Sequence, residues 1–198
     1  MDKPIERICV FCGSRPGERP EYRAQAERLG SLLVEAGIGL VYGGASVGLM
    51  GAVADAVLRE GGEVIGVIPE ALAGKELAHP RVSDLRVVGS MHQRKALMAE
   101  LSDAFIALPG GFGTFEELFE MVTWSQLGLH RKPFGVLNVA GFYDGLLGLV
   151  DYAIQEGFIP VEHRHLILAA SEPDELLRQV LGYEPPPPVA KWLRPEQT

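Results

Sequence analysis

A buried-strand pattern that runs through glycines directly into a helical pattern limits the fold of this chain more than any other feature. Its strongest instance starts with the apolar run Ala104-Phe105-Ile106-Ala107-Leu108. Pro109-Gly110-Gly111-Phe112-Gly113-Thr114-Phe115-Glu116-Glu117 follows, and then Leu118-Phe119-Glu120-Met121-Val122 with helical spacing. Glycines let a backbone approach a ligand closely, and a helix N-terminus offers unpaired N–H groups to a phosphate. Glu116 and Glu117 are expected in the first turn of that helix. A phosphate cradle beside an acid/base group points to chemistry on a nucleotide or sugar phosphate, beyond binding alone.

The same junction occurs at Gly39-Leu40-Val41-Tyr42, which leads into Gly43-Gly44-Ala45-Ser46-Val47-Gly48-Leu49-Met50-Gly51. Here Gly44 and Ser46 are candidates to wrap a phosphate, with Ser46 capping the helix and donating a hydroxyl hydrogen bond. No Gly-Lys-Ser/Thr follows, so this is not a Walker A loop. The G-x-G-x-x-G spacing and an acidic ribose ligand are also missing, which disfavours NAD.

Strand-like and helix-like segments alternate along most of the chain. Strands are expected at 8–11, 39–42, 63–68, 85–88, 103–108, 134–139 and 165–168. Helices are expected at 20–36, 46–60, 91–101, 114–127, 143–156 and 173–181, with a loop or short irregular helix over 70–83. Pro173 suits a first-turn position. This alternation predicts an α/β fold, a doubly wound parallel sheet in a single domain over 1–183. Ligands of such sheets bind beyond the carboxyl ends of the strands, so the segments at 12–14, 42–48 and 109–114 are expected to converge. Residues 184–198, with Pro185-Pro186-Pro187-Pro188, read as an extended proline-rich tail.

The 198 residues, 47% of them hydrophobic, suffice for a sizeable core. A formal net charge of −8 argues against a nucleic-acid polymer as partner. No apolar run approaches the roughly 20 residues that cross a bilayer, and the N-terminus lacks a signal-peptide core. The expectation is a cytoplasmic protein with no membrane partner. Cys9 and Cys12 have the C-x-x-C spacing of a redox pair, but they sit at the end of a strand instead of opening a helix. They read as small apolar strand residues, and two cysteines make a poor zinc site.

Met91-His92-Gln93-Arg94-Lys95 opens the helix before the main glycine motif. Adjacent cations at a helix start oppose the dipole, which hints at a task such as holding an anion or an electron-rich leaving group. Consecutive helical residues project roughly 100° apart, so Arg94 and Lys95 need not both face a site. Glu116 and Glu117 also have an ordinary reading as favourable charges at a helix N-terminus, with Thr114 near the cap.

Pro109 to Glu117 fits the pattern P-G-G-x-G-T-x-x-E. Together with Met91 to Lys95, Tyr42 to Gly51 and Thr123-Trp124-Ser125-Gln126-Leu127-Gly128, it resembles the LOG ("Lonely Guy") family of cytokinin riboside 5′-monophosphate phosphoribohydrolases. The resemblance extends from about Ile8 to about Leu181. It implies a Rossmann-like fold, a homodimer, and no metal or redox cofactor. It also implies hydrolysis of a purine nucleoside 5′-monophosphate to free base and ribose 5-phosphate. By matching motif, Arg94 and Glu117 correspond to the family's catalytic pair. Gly110, Gly111, Gly113, Thr114 and Glu116 correspond to its nucleotide-binding loop, and Lys95 and Thr123 to further substrate contacts. Glu76 aligns with a substrate glutamate within a divergent loop. The residue types suit the reaction: a carboxylate can stabilise an oxocarbenium-like centre and take a proton from water, and a guanidinium can relieve charge on the departing base. Two other readings predict different chemistry. One is a nucleotide-binding carrier without turnover. The other is the decarboxylase label that family members long carried, which requires a pyridoxal phosphate lysine. Phe119, Trp124, Leu127 and Leu129 suit a base pocket, a dimer interface or plain core.

Overall fold

Seven short strands form one all-parallel sheet in the computed structural model, which describes residues 4–73, 78–82 and 84–184. They are β1 (Arg7–Phe11), β2 (Gly39–Tyr42), β3 (Val64–Pro69), β4 (Asp84–Val88), β5 (Ala104–Ala107), β6 (Phe134–Leu137) and β7 (Leu168–Ala170). The helices are α1 (Pro20–Glu35), α2 (Gly48–Arg59), the short α3 (Glu70–Leu72), α4 (Met91–Leu101), α5 (Phe112–Gln126), α6 (Asp144–Gln155) and α7 (Pro173–Leu181). Strand order is β4-β3-β2-β1-β5-β6-β7. The chain builds outward from β1 to the β4 edge, then returns to β1's other side with β5. That reversal opens a crevice between the carboxyl ends of β1 and β5, where open α/β sheets take their ligands.

The central strands are apolar on both faces because helices cover both. Ile8, Val10, Leu40, Tyr42 and Ile106 pack on one side with residues of α1, α2 and α7. Cys9, Phe11, Val41, Ile65 and Phe105 pack on the other with residues of α4, α5 and α6. The two-residue period of a strand sends Cys9 and Cys12 to opposite faces. Both are buried free thiols, and burial is the largest influence raising each thiol's pKa, so the redox reading fails.

Three boundaries differ from expectation. The last strand is Leu168–Ala170, paired with Gly135–Leu137, not 165–168. The polar stretch Glu162-His163-Arg164-His165 forms a 3-10 turn outside the sheet. Helix α2 starts at Gly48 with Val47 at its N-cap, so Ser46 is not the cap. Helix α5 starts at Phe112, so Glu116 and Glu117 stand in its second turn and not its first. The proline-rich tail from 185 onward lies outside the described residues, and so does Glu76. Among the described residues no helix is long and apolar enough to cross a membrane.

Candidate active site

Three strand-to-helix turns meet at the carboxyl ends of β1, β2 and β5. Gly13 N–H donates to the Pro109 carbonyl at 3.0 Å, and Leu49 N–H donates to the Gly13 carbonyl at 3.0 Å. Gly44 has φ +75°, and its carbonyl accepts from His79 N–H at 2.9 Å. The buried His79 in turn contacts Asp55 through Nε2 at 3.1 Å. These bonds lock the turns to one another before any ligand arrives.

Gly111 is the N-cap of helix α5, and no side chain caps the helix. Its first N–H groups therefore lack a side-chain acceptor, which is the arrangement that favours an anion. A Cβ at Gly111 or Gly113 would meet nothing within 4 Å, so internal packing does not demand glycine there. At Gly110 it would collide with the Thr114 side chain, which is buried beneath the loop. Glycine at 110 thus lets the chain fold down onto Thr114, while glycine at 111 and 113 leaves the space above open. A cavity of about 460 Å3 adjoins this loop, lined by Ser14, Arg15, Tyr22, Gly110, Phe112 and Phe142 among others. Neither Arg94 nor Glu117 lines it.

Arg94 on α4 and Glu117 on α5 face each other with Nη1 and Oε1 3.6 Å apart. Their side chains are 12% and 8% exposed. Arg94 Nε also donates to the Val67 carbonyl of β3 at 3.2 Å. Burial pushes the Glu117 carboxyl up to about 7, against the opposing pull of Arg94. A carboxyl at that position exchanges protons near neutral pH, as a general base or acid must.

Lys95 is buried beside this pair and turns to the other carboxylates of α5. Its ammonium contacts Glu116, and Glu120 at 3.0 Å. Burial works against the ammonium, but the two carboxylate hydrogen bonds outweigh it and raise its pKa. Glu120 was missed at the sequence level; its signal was the i,i+4 spacing from Glu116. Thr123 is exposed, six residues past Glu117 and about 9 Å further along the helix axis. Within one chain it does not join the pair. Phe119 is 42% exposed, whereas Trp124 packs against the core. Among the described residues no group of three or more His, Cys, Asp or Glu is arranged to hold a metal ion.

A family model described as possible lysine decarboxylase matches residues 50–180. A probable cytokinin riboside 5′-monophosphate phosphoribohydrolase of Oryza sativa subsp. japonica is 54% identical over 190 residues, 96% of this chain and 77% of that protein. A cytokinin riboside 5′-monophosphate phosphoribohydrolase of Arabidopsis thaliana is 54% identical over 181 residues, 91% of this chain and 83% of that protein. The solved structure of the molybdenum cofactor binding protein from Rippkaea orientalis shares the fold, with a TM-score of 0.67 at 24% identity. That likeness covers 91% of this chain and 99% of the other. With the glycine turns, the buried carboxylate and these relatives in agreement, the chain belongs to the LOG family.

Proposed function

We propose that the protein is a phosphoribohydrolase. It would cleave the N-glycosidic bond of cytokinin (N6-substituted adenine) riboside 5′-monophosphates, of AMP, or of both, to free base and ribose 5-phosphate. The observation that carries this reading is the buried Glu117 facing Arg94 beside an uncapped, glycine-lined helix N-terminus. The relatives' names support the same reaction.

In this mechanism the 5′-phosphate binds the N–H groups around Gly110, Gly111, Gly113 and Thr114, with the turn at Gly44 and Ser46 alongside. Binding energy from the unreactive phosphate positions C1′. The bond from C1′ to the purine nitrogen breaks with its electron pair leaving on the purine. Water attacks C1′, and Glu117 takes the water proton while its charge stabilises the oxocarbenium-like centre. Arg94 is the cation that offsets negative charge on the departing base, which then takes up a proton, the one Glu117 received or one from solvent, to leave as the neutral free base. No metal or cofactor enters these steps.

Lys95 argues against the decarboxylase label. A Schiff-base lysine must be deprotonated, and Lys95 is held as an ammonium by Glu116 and Glu120. We place its role, with Glu116, in bracing α4 against α5 next to the substrate. The exposed apolar side chains Phe119, Leu149, Tyr152, Phe158 and Val161, on α5, α6 and the segment after α6, support a homodimer. Such a dimer offers a route for an exposed residue such as Thr123 to reach a neighbouring site. The acidic charge fits a cytoplasmic setting.

The test is chromatographic product analysis after incubation with AMP and, separately, with isopentenyladenosine 5′-monophosphate. Equal amounts of free base and ribose 5-phosphate are expected, and the rate ratio sets the preference. Tight binding of both with no release would favour the carrier reading instead.

A further inference from the structure

We propose that Gly43 is a positioning residue for Arg94: lacking a side chain, it leaves the seat that aims the guanidinium at Glu117. The proposal rests on the reaction assigned above and deepens it.

Gly43 follows directly on β2 and is buried. It is not among the glycines with positive φ, so its backbone conformation is open to any residue. What requires glycine there is space. A Cβ on Gly43 would overlap Arg94 Nη2 and stand 3.3 Å from Cζ. The other close atom is Met50 Sδ at 3.0 Å, the flexible end of a side chain. Each guanidinium nitrogen therefore has its own neighbour. Nε donates to the Val67 carbonyl, Nη2 lies against Gly43, and Nη1 faces Glu117. The end of β2 and the Val67 carbonyl within β3 thus fix a long side chain that would otherwise sample many rotamers, and they do so before substrate binds.

Glu117 is faced by Arg94 and Lys95 from α4, by Glu116 and Glu120 from its own helix, and by the Cys9 and Cys12 thiols of the β1 end. Arg94 is the strongest of these in favouring the ionised carboxylate. A side chain at 43 that displaces Arg94 would therefore raise the carboxyl pKa further. The acidic limb of kcat/KM would move to higher pH.

The experiment compares wild type, Gly43→Ala, Arg94→Ala and the double variant, by thermal unfolding and by kcat/KM from pH 5 to 9. Gly43→Ala is expected to lower kcat/KM by about 10²-fold and shift its acidic limb upward. In the Arg94→Ala background the same change should have no further effect on rate, limb or stability. A Gly43→Ala enzyme within about twofold of wild type overturns the proposal, as does an equal loss in both backgrounds. If Gly43→Ala alone fails to fold, recovery of folding in the double variant supports the seat, and failure of both overturns it. Should no variant turn over substrate, the stability cycle still decides about Gly43, while the missing turnover counts only against the assigned reaction.

Discussion

Arg94 and Glu117 form one charged pair across α4 and α5, and Lys95 with Glu116 and Glu120 forms its immediate neighbour. The residues are adjacent in sequence on both helices, yet their electrostatics are opposite. Lys95 has two carboxylates within ion-pair distance, and Glu116 and Glu120 are partly open to water. Glu117 is nearly closed off from water and has one cation at 3.6 Å, beyond hydrogen-bond range. The first arrangement pairs its cation with two carboxylates, although Glu120 Oε2 is buried without a hydrogen-bond partner; the second leaves a carboxyl near 7. A cation held by two carboxylates braces helices, and a buried carboxyl whose cation stands beyond hydrogen-bond range is poised to exchange a proton. The difference separates structural from reactive charge on one pair of helices.

The sharpest way to break this contrast is to neutralise each side. Glu117→Gln should keep its fold and lose about 10³-fold in kcat, as removal of a general base usually does. Wild-type turnover in that variant would end the assignment.

Stability offers the next test. The folded pKa of Glu117 stands above its unfolded value, so the group favours the folded state at low pH. That contribution is lost as pH rises through about 7. Against Glu117→Gln, which cannot ionise, wild type should therefore lose on the order of 2 kcal/mol between pH 5 and 9. Denaturant melts of both proteins at the two pH values read this directly, and a constant gap would contradict it.

On the brace side, Lys95→Met should cost roughly 1–2 kcal/mol of stability, because it leaves two carboxylates facing each other with partial water screening. Urea midpoints at pH 7 measure it, and an unchanged midpoint would show that the cluster braces nothing. Glu120→Gln is the mildest change. Lys95 keeps Glu116, so the expected loss is only about 0.5 kcal/mol with kcat within about threefold. A loss matching Lys95→Met would show Glu120 to be the main partner.

How much of this was visible in the sequence follows from what each level can encode. Apolar runs flanked by glycine read directly as buried parallel strands, and six of the seven strands were anticipated near their observed places. The exception was β7, expected at 165–168 and found at Leu168–Ala170, where pairing with β6 decides the register. Arg94 and Lys95 stood out as cations at an unfavourable helix end, but spacing alone could not say which carboxylate each would meet. That depends on how α4 lies across α5, a tertiary fact. Glu120 went unread for the same reason. The partners of Arg94 on the sheet, the Val67 carbonyl and bare Gly43, are backbone features, and a sequence does not show which carbonyl a side chain will reach. The second-turn position of Glu117 was misread because Phe112 and Gly113 are weak helix starters and joined α5 regardless.

The central claim is that Glu117 is the poorly compensated carboxyl. It can be tested without substrate by a pH titration of its carboxyl infrared band, taken as wild type minus Glu117→Gln. The account predicts a midpoint near 7. A midpoint at the ordinary carboxylate value, about 4.3, would contradict it.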